Sequence, residues 1–253
     1  HRCYGIVGDN GAGKTTLLRL LASTLQPQSG SILVQGSVYY LPQSHHEIVD
    51  AASIADVLGV AEIVAALRRL QAGGLDEADF ALVADHWDIE QRIATVLHEL
   101  AMWPLDLASP AAALSGGQKT KLFLARSALF SADFLLLDEP TNNLDQASRQ
   151  WLYEYIKLNK SAMIVVSHDR ALLNLMDVIV DINAHGLSFY GGNYDFFVEQ
   201  RALQQHALER QYTHAERQLK QAEKTIQRSR EKHEKLAARG KKAFRQGKVD
   251  KLT

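Results

Sequence analysis

The sequence predicts an α/β domain on a parallel sheet, with a helical segment inserted into it and a basic helix after it. Three observations carry that prediction. Gly8–Thr16 reads GDNGAGKTT, between an apolar run (Tyr4, Ile6, Val7) and a helical pattern (Leu17, Leu18, Leu20, Leu21). Two further apolar runs, 134–137 and 162–166, each end in polar residues, as buried parallel strands do. Charge then divides the chain. Residues 199–253 hold 15 Lys/Arg against 7 Asp/Glu, a net of +8, whereas 1–198 carry a net of −9.

The glycine-rich stretch fits GxxxxGKT from Gly8 to Thr15, a phosphate-cradling loop between strand and helix. Gly8, Gly11 and Gly13 allow positive φ and let backbone amides approach an anion. The helix that follows offers unpaired amides and a partial positive charge. Lys14 can reach the β- and γ-phosphates, and the Thr15 hydroxyl can hold Mg²⁺. This is a nucleoside triphosphate site, with Asn10, Ala12 and Thr16 completing the loop.

After the helix 14–24, Gln26–Gly30 is a turn, and Ser31–Val34 and Val38–Leu41 read as strands separated by Gly36. Gln43 follows on a loop. From Ser53 to Leu107 the pattern is helical: Ile54, Val57, Leu58, Ile63, Val64 and Leu67 recur at three- and four-residue spacing. Ala72-Gly73-Gly74 breaks it, and further helices are expected near 77–84 and 89–101. His86 and His98 stand alone, without metal-ligand spacing. Leu114–Gln118, LSGGQ, opens a helix over 119–130; Ser115, Gly116 and Gly117 there offer an anion site or simply a helix cap.

Phe134–Leu137 ends in Asp138-Glu139-Pro140, so two carboxylates stand where open α/β sheets bind ligands. Asp138 is placed to order Mg²⁺ and Glu139 to polarise an attacking water. A polar turn, Thr141–Asp145, precedes a helix over 146–158. The strand 162–166 brings His168 to the same sheet edge, as a γ-phosphate contact or a strand-end hydrogen bonder. A helix 170–176 and strands 178–182 and 187–190 complete the core. From Tyr212, the positions Ala215, Leu219, Ala222, Ile226, Ser229, His233 and Leu236 step by three and four, an a/d seam that Gly240 is expected to end.

Composition bounds the setting. No apolar run approaches the roughly 18 residues that span a bilayer, and no signal peptide is visible. Cys3 is the single cysteine, which excludes an internal disulfide and suits a reducing, cytoplasmic compartment. Starting at His1, the sequence reads as a piece of a longer chain.

Taken in order, GDNGAGKT, Gln43, LSGGQ, FLLLDEP, NLD and His168 resemble the ATP-binding cassette superfamily over residues 2–183. The resemblance implies a P-loop ATPase fold: a cassette domain over 1–198, with a helical subdomain over about 50–130, then a basic helical linker over 199–253, one arm of a hairpin. It implies ATP and Mg²⁺ as ligands and assigns roles: Walker A (Gly8–Thr15), Q-loop (Gln43, also toward the metal), signature (Leu114–Gln118) and Walker B (Phe134–Asp138). Glu139 would be the base, Asn143–Asp145 the D-loop and His168 the switch histidine. In the family two cassettes pair head to tail, in one chain or as a dimer, and the signature of one completes the ATP site of the other.

DEPTNNLD, SHDRALL and FYGGNYDFFVEQR are similar to the motifs of the ABC-F branch, soluble tandem-cassette ATPases, several of which act on the ribosome. Asn143 stands where that branch more often has His, no long insertion separates Gln43 from the signature, and the sequence starts after the adenine-stacking aromatic. The branch implies a partner in the ribosome–tRNA complex, with the tail neutralising phosphates. A DNA-repair ATPase and a transporter's ATPase subunit are the alternatives. Phosphate contacts do not separate RNA from DNA.

Overall fold

The structure is a computed structural model that describes residues 2–44, 53–184 and 186–249. Of the expected segments, 50–52 of the subdomain, 250–253 of the linker and the Ser229 side chain in the seam lie outside the described residues. The chain forms two compact units, His1–Phe197 and Val198–Thr253.

The first unit is built on six strands: β1 (Cys3–Gly8), β2 (Val38–Leu41), β3 (Phe134–Asp138), β4 (Ala162–Val166), β5 (Val178–Asn183) and β6 (Gly186–Gly191). Their order is β2-β3-β4-β1-β5-β6, parallel except for the β5–β6 hairpin. β1 pairs with β4 on one side, Cys3 opposite Met163, and with β5 on the other, Gly8 opposite Ile182. Parallel pairing aligns the C-terminal ends of β1 through β4 along one edge.

Both faces are covered, which is why β3 reads as unbroken apolar sequence rather than alternating. Side-chain alternation sends Leu135 and Leu137 into one cluster and Leu136 into the other, all nearly fully buried. The smaller cluster is closed by helix α1 (Lys14–Leu21), whose Leu18 packs with Ile6, Val166 and Val180. Burial of Leu18 stabilises by about 2–3 kcal/mol and ties the phosphate loop to the sheet.

The larger cluster joins the sheet to the helical segment: α2 (Ile54–Leu58), α3 (Ala61–Gln71), α4 (Glu77–Val83) and α5 (Ile89–Glu99). Helix α6 (Gly116–Leu129) is buried on several sides, with Leu122, Phe123, Leu124, Ala125 and Leu129 all in this cluster. Helices α7 (Gln146–Leu158) and α8 (Arg170–Leu173) complete the same side.

Four expectations need correction. Ser31–Val34 is not a strand; among the described residues nothing pairs with it, and Leu33 is largely exposed. A β-prone segment without a ladder partner leaves its backbone to water. The pattern from Ile54 to Leu67 is two helices, because Gly59 adopts φ 71° and closes α2 with an αL cap. The signature helix starts at Gly116, not Lys119. Finally, Gly240 does not stop the tail: helix α9 runs from Tyr194 to Val249. A glycine costs a helix interior only about 1 kcal/mol, too little to end a run of good helix formers.

Within the second unit, Tyr212, Leu219, Ile226 and Leu236 are exposed along α9, on the seam the spacing marks, and Leu208 is exposed one turn before it. An ion pair from Glu216 to Lys220 (2.7 Å) spans one turn. No helix among the described residues is long and apolar enough to cross a membrane.

Candidate nucleotide site

The phosphate loop begins where β1 ends. Gly8 has φ 152°, and a Cβ there would lie 2.5 Å from the Ile182 carbonyl oxygen, so β5 leaves room for no side chain. The loop turns through an Ala12 N–H bond to the Asp9 carbonyl (3.1 Å) and enters α1 through Gly13 at φ 98°. Lys14 is buried, and its Nζ donates to the carbonyls of Gly8 (2.9 Å) and Asp9 (3.0 Å). An ammonium has three donors, so one remains for a ligand in the loop.

Asp138 ends β3 fully buried. The Tyr40 hydroxyl donates to its Oδ2 at 3.3 Å, the Thr15 hydroxyl is close enough to favour the ionised carboxylate, and Oδ1 has no hydrogen-bond partner among the described residues. Burial raises its pKa, against the pull of Thr15, Tyr40 and the Lys14 charge. The Tyr40 phenol is pushed up to about 12, first by burial and then by Asp138.

Glu139 is buried in the left-handed region, at φ 48°. Its amide bonds the Val166 carbonyl (2.8 Å), and Asn142 N bonds its own carbonyl (3.1 Å), which fixes the unusual backbone. Such a conformation costs on the order of 1–3 kcal/mol and persists only where surroundings over-determine it. Glu139 Oε2 accepts from the His168 amide at 3.4 Å; Oε1 has no hydrogen-bond partner among the described residues, and His168 Nε2 stands 3.5 Å from it. Burial raises the Glu139 pKa, and His168 is the chief opposing influence.

These groups face one cavity of about 430 Å³, lined by Asn10, Gly11, Gly13, Lys14, Thr15, Thr16, Gln43, Asp138, Glu139 and His168 together with Asn142 and Val166. Gly8 and Ala12 shape the loop without lining the cavity. A wider space of about 890 Å³ adjoins it, bounded by Arg19, Tyr40, Gln43 and Asn143 among others. Asn143 sits at φ 60°, a conformation asparagine tolerates better than most residues.

Ser115, Gly116, Gly117 and Gln118 are not among the cavity's described lining residues. They form a reciprocal cap on α6: Ser115 Oγ accepts from Gln118 N (3.3 Å), and Gln118 Oε1 accepts from Ser115 N (2.9 Å). Gly117 is buried against α7, where a Cβ would overlap the Ser148 hydroxyl and lie 2.8 Å from Ser148 Cβ. Ser148 in turn belongs to the cap of α7, donating its N–H to Asp145 (3.0 Å).

Sequence reasoning missed Tyr40 and Asn142. Tyr40 lies opposite Leu136 in the β2–β3 ladder, on the face of α1, whereas Tyr39 faces the larger cluster. Alternation along β2 held that signal.

Asp138 Oδ1 and Glu139 Oε1, which lack a hydrogen-bond partner among the described residues, suit a ligand set of oxygens around a hard cation, completed by water and phosphate. Among the described residues no group of three or more His, Cys, Asp or Glu could hold a metal by itself. A phosphate loop facing buried carboxylates at the C-terminal edge of a parallel sheet defines the P-loop nucleoside triphosphatases.

The chain belongs to the ABC transporter family as an ATP-binding cassette: the family described as ABC transporter matches residues 1–142, and a second, also described as ABC transporter, matches residues 180–252. The tylosin resistance ATP-binding protein TlrC of Streptomyces fradiae is 33% identical over 232 residues, covering 82% of this chain and 42% of that protein. The energy-dependent translational throttle protein EttA of Mycobacterium tuberculosis is 30% identical over 224 residues, covering 78% of this chain and 38% of that protein. This chain thus spans less than half the length of these two relatives. A solved ATP-binding subunit of an ABC transporter shares the fold, with a TM-score of 0.57 at 21% identity over 80% of this chain and 82% of that one.

Proposed function

We propose that this chain is one ATP-hydrolysing cassette, with the start of its linker, of an ABC-F type protein acting on the ribosome–tRNA complex. The observation that carries the ATPase reading is the pair of buried carboxylates of Asp138 and Glu139, each with one oxygen that lacks a hydrogen-bond partner among the described residues, lining one cavity with Lys14 and Thr15. Two relatives support the branch: one is named a translational throttle protein and another an antibiotic-resistance ATP-binding protein. The net +8 of residues 199–253 supports a polyanionic partner.

In this reading the loop amides and the N-terminus of α1 bind the ATP phosphates, and Lys14 turns its remaining donor to the β/γ bridge. Thr15, Asp138 and Gln43 would hold Mg²⁺, which supplies charge neutralisation at the β- and γ-phosphates. Glu139, its proton affinity raised by burial, takes a proton from the attacking water. His168 and Gln43 contact the γ-phosphate side of the cavity. The Ser115–Gln118 cap, with Ser115 and Gln118 exposed, serves a second cassette, whose own cap would close this site.

The test is Glu139→Gln in a polypeptide carrying two cassettes. Hydrolysis is expected to fall about 10²–10⁴-fold, with ATP-dependent co-sedimentation with ribosomes across a salt series. Unchanged turnover would reject Glu139 as the base. Absence of co-sedimentation at every salt, with retained binding to branched DNA, would replace the ribosomal reading by the DNA-repair alternative.

A further inference from the structure

Asp138 has two oxygens with different fates. Oδ2 accepts from the Tyr40 hydroxyl at 3.3 Å, and Oδ1 is buried with no hydrogen-bond partner among the described residues. The Thr15 hydroxyl also favours the ionised form of this carboxylate, but the reading above gives that hydroxyl to the cation. That leaves Tyr40, among the described residues, as the side chain donating a hydrogen bond to the carboxylate. Its ring is half-buried in the smaller cluster beside Val38, and β2 pairs with β3 one residue pair apart, Tyr40 opposite Leu136 and Leu41 opposite Leu137. The donor is therefore fixed by two ladder strands rather than by a loop. A single donor on one oxygen selects a rotation of the carboxylate about its Cβ–Cγ bond and leaves the other oxygen as the one that faces the ligand.

We infer that Tyr40 is a positioning residue: its hydroxyl fixes Asp138 through Oδ2 so that Oδ1 is the oxygen presented to the divalent cation. This rests on the nucleotide-site reading of Asp138. Outer-shell partners of metal-binding carboxylates act in this manner, and their removal costs about 10–100-fold in metal affinity. Tyr39, the neighbour on the same strand, points its ring into the other cluster and serves as the internal control.

The experiment is a Mg²⁺ titration of binding of a fluorescent N-methylanthraniloyl ATP analogue to the 253-residue chain, with melting temperatures recorded in parallel. Tyr40→Phe keeps the ring and removes the donor. It is expected to raise the Mg²⁺ half-saturation about tenfold or more, while analogue binding in EDTA and the melting temperature stay at wild-type values. Tyr39→Phe should leave the Mg²⁺ half-saturation unchanged. In an Asp138→Asn background, Tyr40→Phe should add nothing, because the hydroxyl acts through that carboxylate. If Asp138→Asn alone leaves Mg²⁺ dependence intact, the site reading itself fails. If Asp138→Asn abolishes it and Tyr40→Phe shifts it less than twofold, or shifts metal-free binding equally, the inference about Tyr40 is overturned.

Discussion

Gly117→Ala is a sharp test of how the signature segment is seated. Two effects oppose each other. Alanine at the second helical position of α6 gains about 1 kcal/mol in intrinsic preference over glycine. Against that, the new Cβ would overlap the Ser148 hydroxyl and stand 2.8 Å from Ser148 Cβ. Overpacking of this kind costs about 1–3 kcal/mol, and a rotamer change at Ser148 moves Oγ but not Cβ. Because Ser148 is tied to Asp145 through its own backbone, the first turn of α7 must move with it. Destabilisation should win by about 1 kcal/mol, which lowers the melting temperature of a domain of this size by about 2–4 °C. The assay is thermal unfolding of four chains: wild type, Gly117→Ala, Ser148→Ala and the double variant. Removal of Oγ leaves only the Cβ contact, so the double variant should recover at least half of the loss. A stabilised Gly117→Ala, or equal losses in both backgrounds, would refute the argument that α6 and α7 are held at contact distance here.

Two further outcomes follow from buried polar groups. The Tyr39 hydroxyl is buried with no hydrogen-bond partner among the described residues, and burial raises its pKa; Tyr39→Phe removes an unsatisfied donor at constant shape and should leave stability unchanged or raise it by up to about 1 kcal/mol, read by chemical denaturation, whereas a clear loss would reveal a partner. Asp79 on α4 takes a forked pair of bonds from Arg69 on α3, Nε at 2.9 Å and Nη2 to the other oxygen, which holds its carboxyl below the ordinary range. A depressed folded-state pKa contributes stability above the unfolded value of about 3.9, lost as pH falls through the folded one. Wild type should therefore lose melting temperature more steeply than Asp79→Asn between about pH 4 and pH 2, and parallel curves would dismiss the pair as a source of acid sensitivity.

Much of the sheet and the cavity wall was legible, because parallel strands buried on both faces write themselves as apolar runs and their C-terminal residues collect at one edge. Phe134–Leu137 and Ala162–Val166 located Asp138, Glu139 and His168 in this way. What was not legible depended on neighbours. Ser31–Val34 has strand composition but no ladder partner among the described residues. Gly59 and Gly240 look alike in sequence; the first adopts an αL cap and the second stays helical, and only the surrounding chain decides which. Tyr39 and Tyr40 differ by one residue and face opposite clusters, so their roles follow from the register of β2 on β3. The fit of Gly117 against Ser148 joins two residues 31 positions apart in sequence, beyond the reach of any local pattern.

The position of β1 at the interior of the sheet has a consequence for synthesis. Its hydrogen-bonding neighbours are β4 and β5, which end at Val166 and Asn183. At about 5–20 residues per second, a ribosome making this chain needs on the order of 10–35 s after β1 to supply both. During that interval an apolar strand and the phosphate loop it carries have nothing native to pair with. Long-range closures of this kind are slow and expose aggregation-prone edges. The family-matched span 1–142 holds the phosphate loop and both carboxylates yet lacks both partners of β1. A nascent chain halted there would possess the residues of a nucleotide site without the sheet that makes them one.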